Sequence, residues 1–419
     1  ATGLYHVFRD DREQVFSSSF LATARARGQR SLSVQGFHEY LLNGAVYGNE
    51  TILREISLLD CRQIWTIGTR LSGSPRVLRS TEPTTPRKFE DWVATISADL
   101  ISLFEDIQSC WGNDVCSALS GGYDSRLMLA LMRHVGIAPY LYVYGKQTDA
   151  DVVVAKRIAA GEGLTLHHRE RASASIMEPS QYLAMLARQY FACDGLSNVG
   201  IFDNGSPLTT RLERVAQAGL QLNGGGGEVF RNFWLLANRS FTASAFLRSK
   251  YDRADYSIFR DSFDKGRYFA VLVDKVQFIL SETRLTLSRQ QIEMLYPFLR
   301  LRYWMGMNNS HNSQFGYSLT PFADQQIIWR SFDIPVSLKD DGRLEAALIR
   351  HIDPRLAAYP SCYGHDFVSP PPWKQRLQNR VKLNSPVFMR PFLRRKVYKK
   401  SRINRKPFPY YLKRDFLAE

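Results

Sequence analysis

Residues 117–132 read SALSGGYDSRLMLALM. Within them Ser120, Gly121, Gly122 and Ser125 have the types and spacing to hold an anion, with one acid, Asp124, inside the loop. Adjacent glycines let backbone N–H groups approach a ligand closely, and the start of a following helix favours negative charge. The loop therefore reads as a phosphate cradle, with a plain surface turn as the alternative. It matches neither G-x-x-x-x-G-K-S/T nor G-x-G-x-x-G, so the Walker loop and the dinucleotide fingerprint both fail. A second glycine-rich stretch, LNGGGGEVF at residues 222–230, follows the apolar LQL and carries one acid, Glu228. It reads as a loop at a strand end, with a flexible surface loop as the alternative. The pair His167-His168 has no carboxylate cluster or H-E-x-x-H beside it, and reads as a strand end rather than a metal site.

The elements around the first loop suit that chemistry. DVCSALS is short and apolar, as a buried strand should be. Leu127 to Met132 is apolar on every side, the mark of a helix buried on a sheet. Gly136 is placed to end that helix. YLYVYG follows as a second strand that includes Tyr142, Val143 and Tyr144 and ends in Gly145. TDADVVVAKRIAAGEG is then a helix capped by Thr148 or Asp149, and LTLHH a third strand. Strand–helix alternation at this spacing predicts a doubly wound parallel sheet, with ligands beyond the carboxyl ends of the strands. Upstream, FEDWVATISADLISLFEDIQ places Trp92, Ile96, Leu100, Leu103, Phe104 and Ile107 at helical spacing.

Charge is concentrated at one end of the chain. Fifteen of the 55 Lys and Arg lie between Lys374 and Arg414 without a single Asp or Glu, so the remainder balances the 40 acids. Aromatics are interleaved there: Trp373, Phe388, Phe392, Tyr398, Phe408, Tyr410 and Tyr411. Such a field attracts polyanions or anionic surfaces; a solvated tail is the plain alternative. The proline runs near residues 79–92 and in FVSPPPWK divide the chain into residues 1–85, 86–370 and 371–419. No apolar run reaches the roughly 18 residues of a membrane span, and Ala1 to Arg12 lack a signal-peptide pattern. The five cysteines are scattered and odd in number, so a reducing, cytoplasmic setting is expected.

SGGYDS matches the S-G-G-x-D-S pyrophosphate loop of the ATP pyrophosphatases. Three further segments narrow this: DADVVVAKRIAAGEGLTLHH, LNGGGGEVF and PFADQQII occur in order. Together they resemble the synthetase domain of the asparagine synthetase family, whose relatives include β-lactam synthetases and lasso-peptide cyclases. The resemblance spans about residues 92–360. LLNGAVYGNETILREISLL also resembles the end of that family's N-terminal glutaminase half. The resemblance implies an adenine-nucleotide α-hydrolase (PP-loop) sheet, a helical C-terminal half and a small N-terminal α+β remnant.

It also implies chemistry. ATP with Mg2+ adenylates a small-molecule, peptide or glycan carboxylate, and an amine then displaces AMP to form an amide. Ser120, Gly121, Gly122 and Ser125 would hold pyrophosphate, and Asp124 would bind magnesium, which favours carboxylates plus phosphate oxygens. Ala118, Leu119, Val143, Tyr144 and Gly145 would border the nucleotide. Gly224, Gly225, Gly226 and Glu228 would close the site, with Glu228 as the second metal-linked acid and a catalytic group.

Departures from the family pattern sharpen the expectation. No cysteine precedes Cys61, so ammonia from glutamine is not expected here, and the amine would come from the substrate itself, a second small molecule or a partner. The family's acid pair reads Glu228-Val229 here. A tyrosine base that the β-lactam-forming relatives use falls on Gly225. The late catalytic lysine has no clean match; Arg343 is the first candidate and Lys339 the second. An arginine clamps phosphate but cannot release a proton. Three other readings stand beside the ligase. One is an RNA-modifying enzyme of the same loop type, another a nucleotide-binding scaffold. In the third the basic segment docks an acidic carrier protein, a leader peptide or an anionic membrane.

Overall fold

The computed structural model describes residues 3–68, 71–75, 87–170, 177–196, 206–254, 256, 259 and 263–390. Near the start, β1 (Phe8–Asp10), β2 (Phe16–Ser17), α1 (Phe20–Arg27), α2 (Val34–Asn43) and β3 (Ile56–Leu58) form a small α+β unit. Its antiparallel sheet has the order β2-β1-β3. β4 (Gln63–Ile67) and β5 (Leu71–Pro75) make a separate antiparallel hairpin. This region shares its core with the rest of the chain: Phe8, Phe20, Ile56 and Leu58 belong to one hydrophobic cluster with Leu127 and Leu220. Asp194 reinforces the junction by accepting from the backbone N–H groups of Phe20 and Leu21 at the start of α1.

Next, α3 (Phe89–Trp111) buries Trp92, Ile96, Leu100, Phe104 and Ile107, the stripe expected from their spacing, with Leu103 partly buried beside it. The α/β core follows as β6 (Val115–Ala118), α4 (Tyr123–His134), β7 (Tyr140–Tyr144), α5 (Ala150–Glu162) and β8 (Leu166–Arg169). Every residue from Leu127 to Met132 is fully buried, and each large one contributes roughly 1.5–3 kcal/mol. Gly136 follows the end of α4 with φ +81°, a left-handed conformation that glycine adopts without strain. At α5 the capping residue is Asp149, but its carboxylate accepts from the N–H of Lys146 rather than from the helix.

The chain continues through α6 (Pro179–Ala192), α7 (Ser206–Val215), β9 (Leu220–Leu222), β10 (Phe241–Thr242), α8 (Ala243–Tyr251), α9 (Lys265–Leu280), β11 (Thr286–Leu287) and α10 (Arg289–Leu295). A π-helical stretch, Tyr296–Met305, joins α10 to α11 (Gly306–Asn312). The remaining elements are β12 (Tyr317–Leu319), α12 (Gln325–Asp333), α13 (Arg343–Ile352), α14 (Pro354–Ala358) and α15 (Trp373–Asn384).

The main sheet has five parallel strands in the order β12-β9-β6-β7-β8. The chain leaves β6 outward through β7 and β8, then returns to place β9 on the other side of β6. That reversal is a topological switch point, and the crevice beyond the carboxyl ends of β6 and β9 is where such sheets bind ligands. Both glycine-rich loops open there. The architecture is the α/β sheet with a helical C-terminal half and a small N-terminal α+β unit that the sequence led us to expect. The expected boundary at residues 79–92 falls largely on 76–86, outside the described residues. The basic segment is described only to Arg390, and its remaining residues, 391–414, also lie outside. Among the described residues no helix is long and apolar enough to cross a membrane, and all five cysteines are free.

Candidate active site

Ser117 is buried at the end of β6, while Ala118 beside it is exposed, so the strand opens onto solvent where the loop begins. The loop is shaped by its own hydroxyls. Ser125 Oγ accepts from the N–H of Ser120 at 3.0 Å and lies 2.8 Å from Ser120 Oγ, which in turn accepts from the N–H of Gly122 at 3.3 Å. The first-turn N–H groups of α4 have no acceptor within their own helix, which leaves an anion-favouring face.

The loop is also pinned from outside. Gly121 donates its N–H to Asp151 Oδ1 at 2.9 Å and accepts from the N–H of Cys362 at 3.0 Å. A Cβ at Gly121 would lie 2.7 Å from Cys362 Cβ, so this glycine is required by space. The covering strap, residues 356–367, is anchored by Arg126, the largest fully buried side chain. Its guanidinium donates to the carbonyls of Leu356, Tyr359 and Pro360 and lies 4.4 Å from the Phe367 ring. Burial pushes the Arg126 pKa down to about 10. Tyr123 stacks on Phe367 with ring centroids 4.0 Å apart.

Val143 to Gly145 extend past the partner of Ala118, since Ala118 pairs with Tyr142 in the sheet. They therefore border the same crevice. Gly145 is held by its neighbours, donating to Arg169 O and accepting from His168 Nε2 at 2.8 Å. His167 stacks on Tyr140 at 4.0 Å. Leu119 is buried and donates its N–H to Tyr142 O.

From β9 the second loop runs back across α4. Gly224 packs beside Asp124, Gly225 beside Met305, and Gly226 donates to Glu228 Oε2 at 3.3 Å. Gly227 has the tightest approach: a Cβ there would lie 2.2 Å from Asp124 Oδ1. Glu228 then sits on a 3-10 turn, Gly227–Phe230, where it accepts from the Tyr296 hydroxyl. Burial, with the Glu228 charge adding, drives the Tyr296 pKa well up.

The two acids converge on a residue that the motifs did not single out. Arg231 Nη2 donates to both oxygens of Asp124, at 3.0 and 2.9 Å. Its Nε is 2.8 Å from Glu345 Oε2, and Nη2 is 3.9 Å from Glu228 Oε1. Tyr123 lies beneath the guanidinium at 5.4 Å. Burial opposes the Arg231 charge, but Glu345, Asp124 and Glu228 together outweigh it and raise the pKa well above the usual value. Glu345 is completely buried in the first turn of α13; burial and then the Asp124 charge raise its pKa well above normal. Burial also raises Asp124, with the Arg231 charge opposing. The Tyr363 hydroxyl comes within 3.6 Å of where a Gly122 Cβ would be, and burial pushes its pKa up to about 12.

This geometry corrects three expectations. Arg343 is exposed, with its guanidinium on the Phe89 ring at 4.1 Å. It lies two residues before Glu345, hence on the opposite side of α13. Lys339 is buried elsewhere, donating to Ser331 O at 2.7 Å with Glu293 at 3.7 Å, and burial lowers its pKa. Neither reaches the cluster. The third correction concerns magnesium. Asp124 and Glu228 are suitable hard-oxygen donors, but Arg231 engages both Asp124 oxygens. Among the described residues no grouping of three or more His, Cys, Asp or Glu is suited to hold a metal ion. With Arg231 on both Asp124 oxygens, the donor set in this arrangement is turned toward the guanidinium rather than toward an ion.

Only faint sequence signals accompany the missed residues, and neither specifies their pairing. Arg231 lies three positions after Glu228, and Glu345 is an acid on an otherwise apolar helix face with Leu348 and Ile349.

No protein-family model matches the chain, and no curated protein matches it. Among solved structures, an NMN synthetase from Francisella tularensis is similar over 52% of this chain and 95% of its own, at 12% identity and a TM-score of 0.26. The U34-tRNA thiolase NcsA from Methanococcus maripaludis, solved with its 4Fe–4S cluster, is similar over 80% and 86%, at 12% identity and a TM-score of 0.26. The functional reading rests on the chain's own residues.

Proposed function

We propose that the chain is an ATP-dependent, AMP-forming amide ligase. The observation that supports it is the S-G-G-x-D-S loop at the switch point, with Ser120 and Ser125 bonded across it beyond an exposed strand end. In this reading the loop amides and hydroxyls hold the β- and γ-phosphates. A carboxylate oxygen attacks the α-phosphorus, and pyrophosphate leaves with the bridging electron pair. An amine nitrogen then attacks the acyl carbon, AMP departs, and the amine proton is lost. Ala118 and Val143 to Gly145 border the nucleoside, and the substrate carboxylate belongs to a small molecule, a peptide or a glycan.

The test is pyrophosphate release from ATP with pooled carboxylates and amines. Release that requires a carboxylate and is lost in Asp124→Ala supports the ligase. A nucleotide-binding scaffold is the second reading, favoured by Arg231 engaging both Asp124 oxygens. It predicts ATP binding without pyrophosphate release from any pool. An RNA-modifying enzyme of the same loop type would release pyrophosphate only with RNA present.

The basic segment 374–414 serves, in the same proposal, as a docking element for an acidic carrier protein, leader peptide, RNA or anionic membrane. Its described part supports this. Trp373, Leu377 and Val381 are exposed along one side of α15, with Lys374, Arg376, Arg380 and Lys382 around them.

A further inference from the structure

We infer that Arg231 is the resident cation of this site, so that polyphosphate binds at the Ser120–Ser125 loop without a divalent metal. The inference rests on the nucleotide reading above and deepens it. Asp124 is the acid in the first turn of α4, directly after the loop, and its two oxygens would be the seat for a cation bridging to phosphate. Both are occupied by Arg231 Nη2, at 3.0 and 2.9 Å. On its other side Asp124 Oδ1 meets the Gly227 backbone so closely that a single added carbon would lie 2.2 Å away. A divalent ion needs oxygen ligands at about 2.0–2.1 Å in near-octahedral array, and magnesium retains several waters besides. With the guanidinium donating to both oxygens and the Gly227 backbone packed against Oδ1, Asp124 is already engaged where such a shell would have to form.

The guanidinium is held from several directions. Its Nε is 2.8 Å from Glu345 Oε2, Glu228 lies at 3.9 Å, and the Tyr123 ring is 5.4 Å below. Those contacts come from α4, the 3-10 turn after β9 and α13, so three parts of the fold fix one charge. The Arg231 side chain keeps 21% of its surface exposed, which leaves it accessible from the crevice. Arginine is permanently charged and matches phosphate geometry through its planar fork. A cation tethered to the chain in this way needs no ion from solution. The ligand class is a nucleoside triphosphate or inorganic pyrophosphate.

The test uses the full chain with inorganic pyrophosphate as the anion and Mn2+ as the spectroscopically visible divalent ion. Calorimetry should give pyrophosphate affinities within about threefold in EDTA and in magnesium buffer. Arg231→Gln should lose about 10–100-fold in EDTA, the worth of one charge-assisted contact. Electron paramagnetic resonance of Mn2+ without pyrophosphate should show no bound ion on the wild-type chain and a bound ion on Arg231→Gln, whose carboxylates are released. Arg231→Lys, which keeps the charge, covers the case in which the glutamine variant fails to fold; it should retain binding in EDTA at reduced affinity. Pyrophosphate binding that disappears in EDTA, or one Mn2+ per wild-type chain, overturns the inference and leaves the nucleotide reading standing. No binding in either buffer overturns both.

Discussion

Ser120 and Ser125 lie five positions apart and bond chiefly to each other and to their own backbone. Asp124, Glu228, Arg231 and Glu345 come instead from α4, the turn after β9 and the first turn of α13, and they meet only in the folded chain. One half of the site is backbone and hydroxyl, built by local sequence and pinned from outside by Asp151 and Cys362. The other half is charge, set by topology. The loop keeps its shape through close packing and tolerates little added volume. The charge cluster keeps its shape through opposed charges in a buried setting, so it responds to protonation and to the loss of a partner. A ligand entering the crevice meets a rigid amide surface on one side and a titratable one on the other.

The largest expected effect falls on the packed half. Gly121→Ala places a carbon 2.7 Å from Cys362 Cβ and 3.1 Å from the Cys362 nitrogen. The strap must move, and overpacking of this kind costs roughly 2 kcal/mol of folding stability. The neighbouring Gly122→Ala meets only Ser120 Oγ and the Tyr363 hydroxyl, each at 3.6 Å, and should unfold like the wild type. Thermal unfolding of the two variants checks the pair. Equal stabilities would show that the loop is not held by its packing.

This contrast also explains what could be read in the sequence. The loop, both flanking strands and the buried helix were legible because each depends on neighbours along the chain: Ser117 in a short apolar strand, Ser120 and Ser125 bonded to each other, Leu127 to Met132 apolar throughout. Glu228 was legible as an acid after four glycines. Arg231 and Glu345 were not, because the pairing is a property of how α13 packs against α4. Arg343 attracted attention as a cation in the right stretch of chain, yet a helix turns about 100° per residue. Two positions decide whether a side chain faces the crevice or the solvent. The arrangement around the two acids was hidden for the same reason: Asp124 and Glu228 suggest an ion, and the guanidinium between them appears only in the folded chain.

A smaller effect probes the titratable half. Burial raises the Glu345 pKa well above its ordinary value of 4.5. The folded chain therefore favours the protonated acid. The stability this provides is fully present below the unfolded value and is lost as pH rises through the folded one. Glu345→Gln mimics the protonated form at every pH. Thermal unfolding from pH 5 to pH 8 should show the wild type losing stability relative to the variant as pH rises. Parallel curves would mean that Arg231 holds Glu345 ionised throughout, and the cluster would then carry a full carboxylate triad.

The smallest effect should come from Arg343→Ala, which tests whether facing direction outranks position in the chain. Arg343 begins α13, and Glu345 two residues later is fully buried against Arg231. The Arg343 guanidinium lies over Phe89 at 4.1 Å and is exposed. An exposed cation–π contact of this type contributes about 0.5–1 kcal/mol, so unfolding stability should fall by no more than that. Nucleotide affinity and any pyrophosphate release should stay at the wild-type level, since the side chain and the cluster lie on opposite sides of one helix. A loss of turnover with unchanged stability would mean that α13 rotates when substrate arrives. Arg343 would then belong to the site, and the separation between packed loop and charged cluster would hold only before binding.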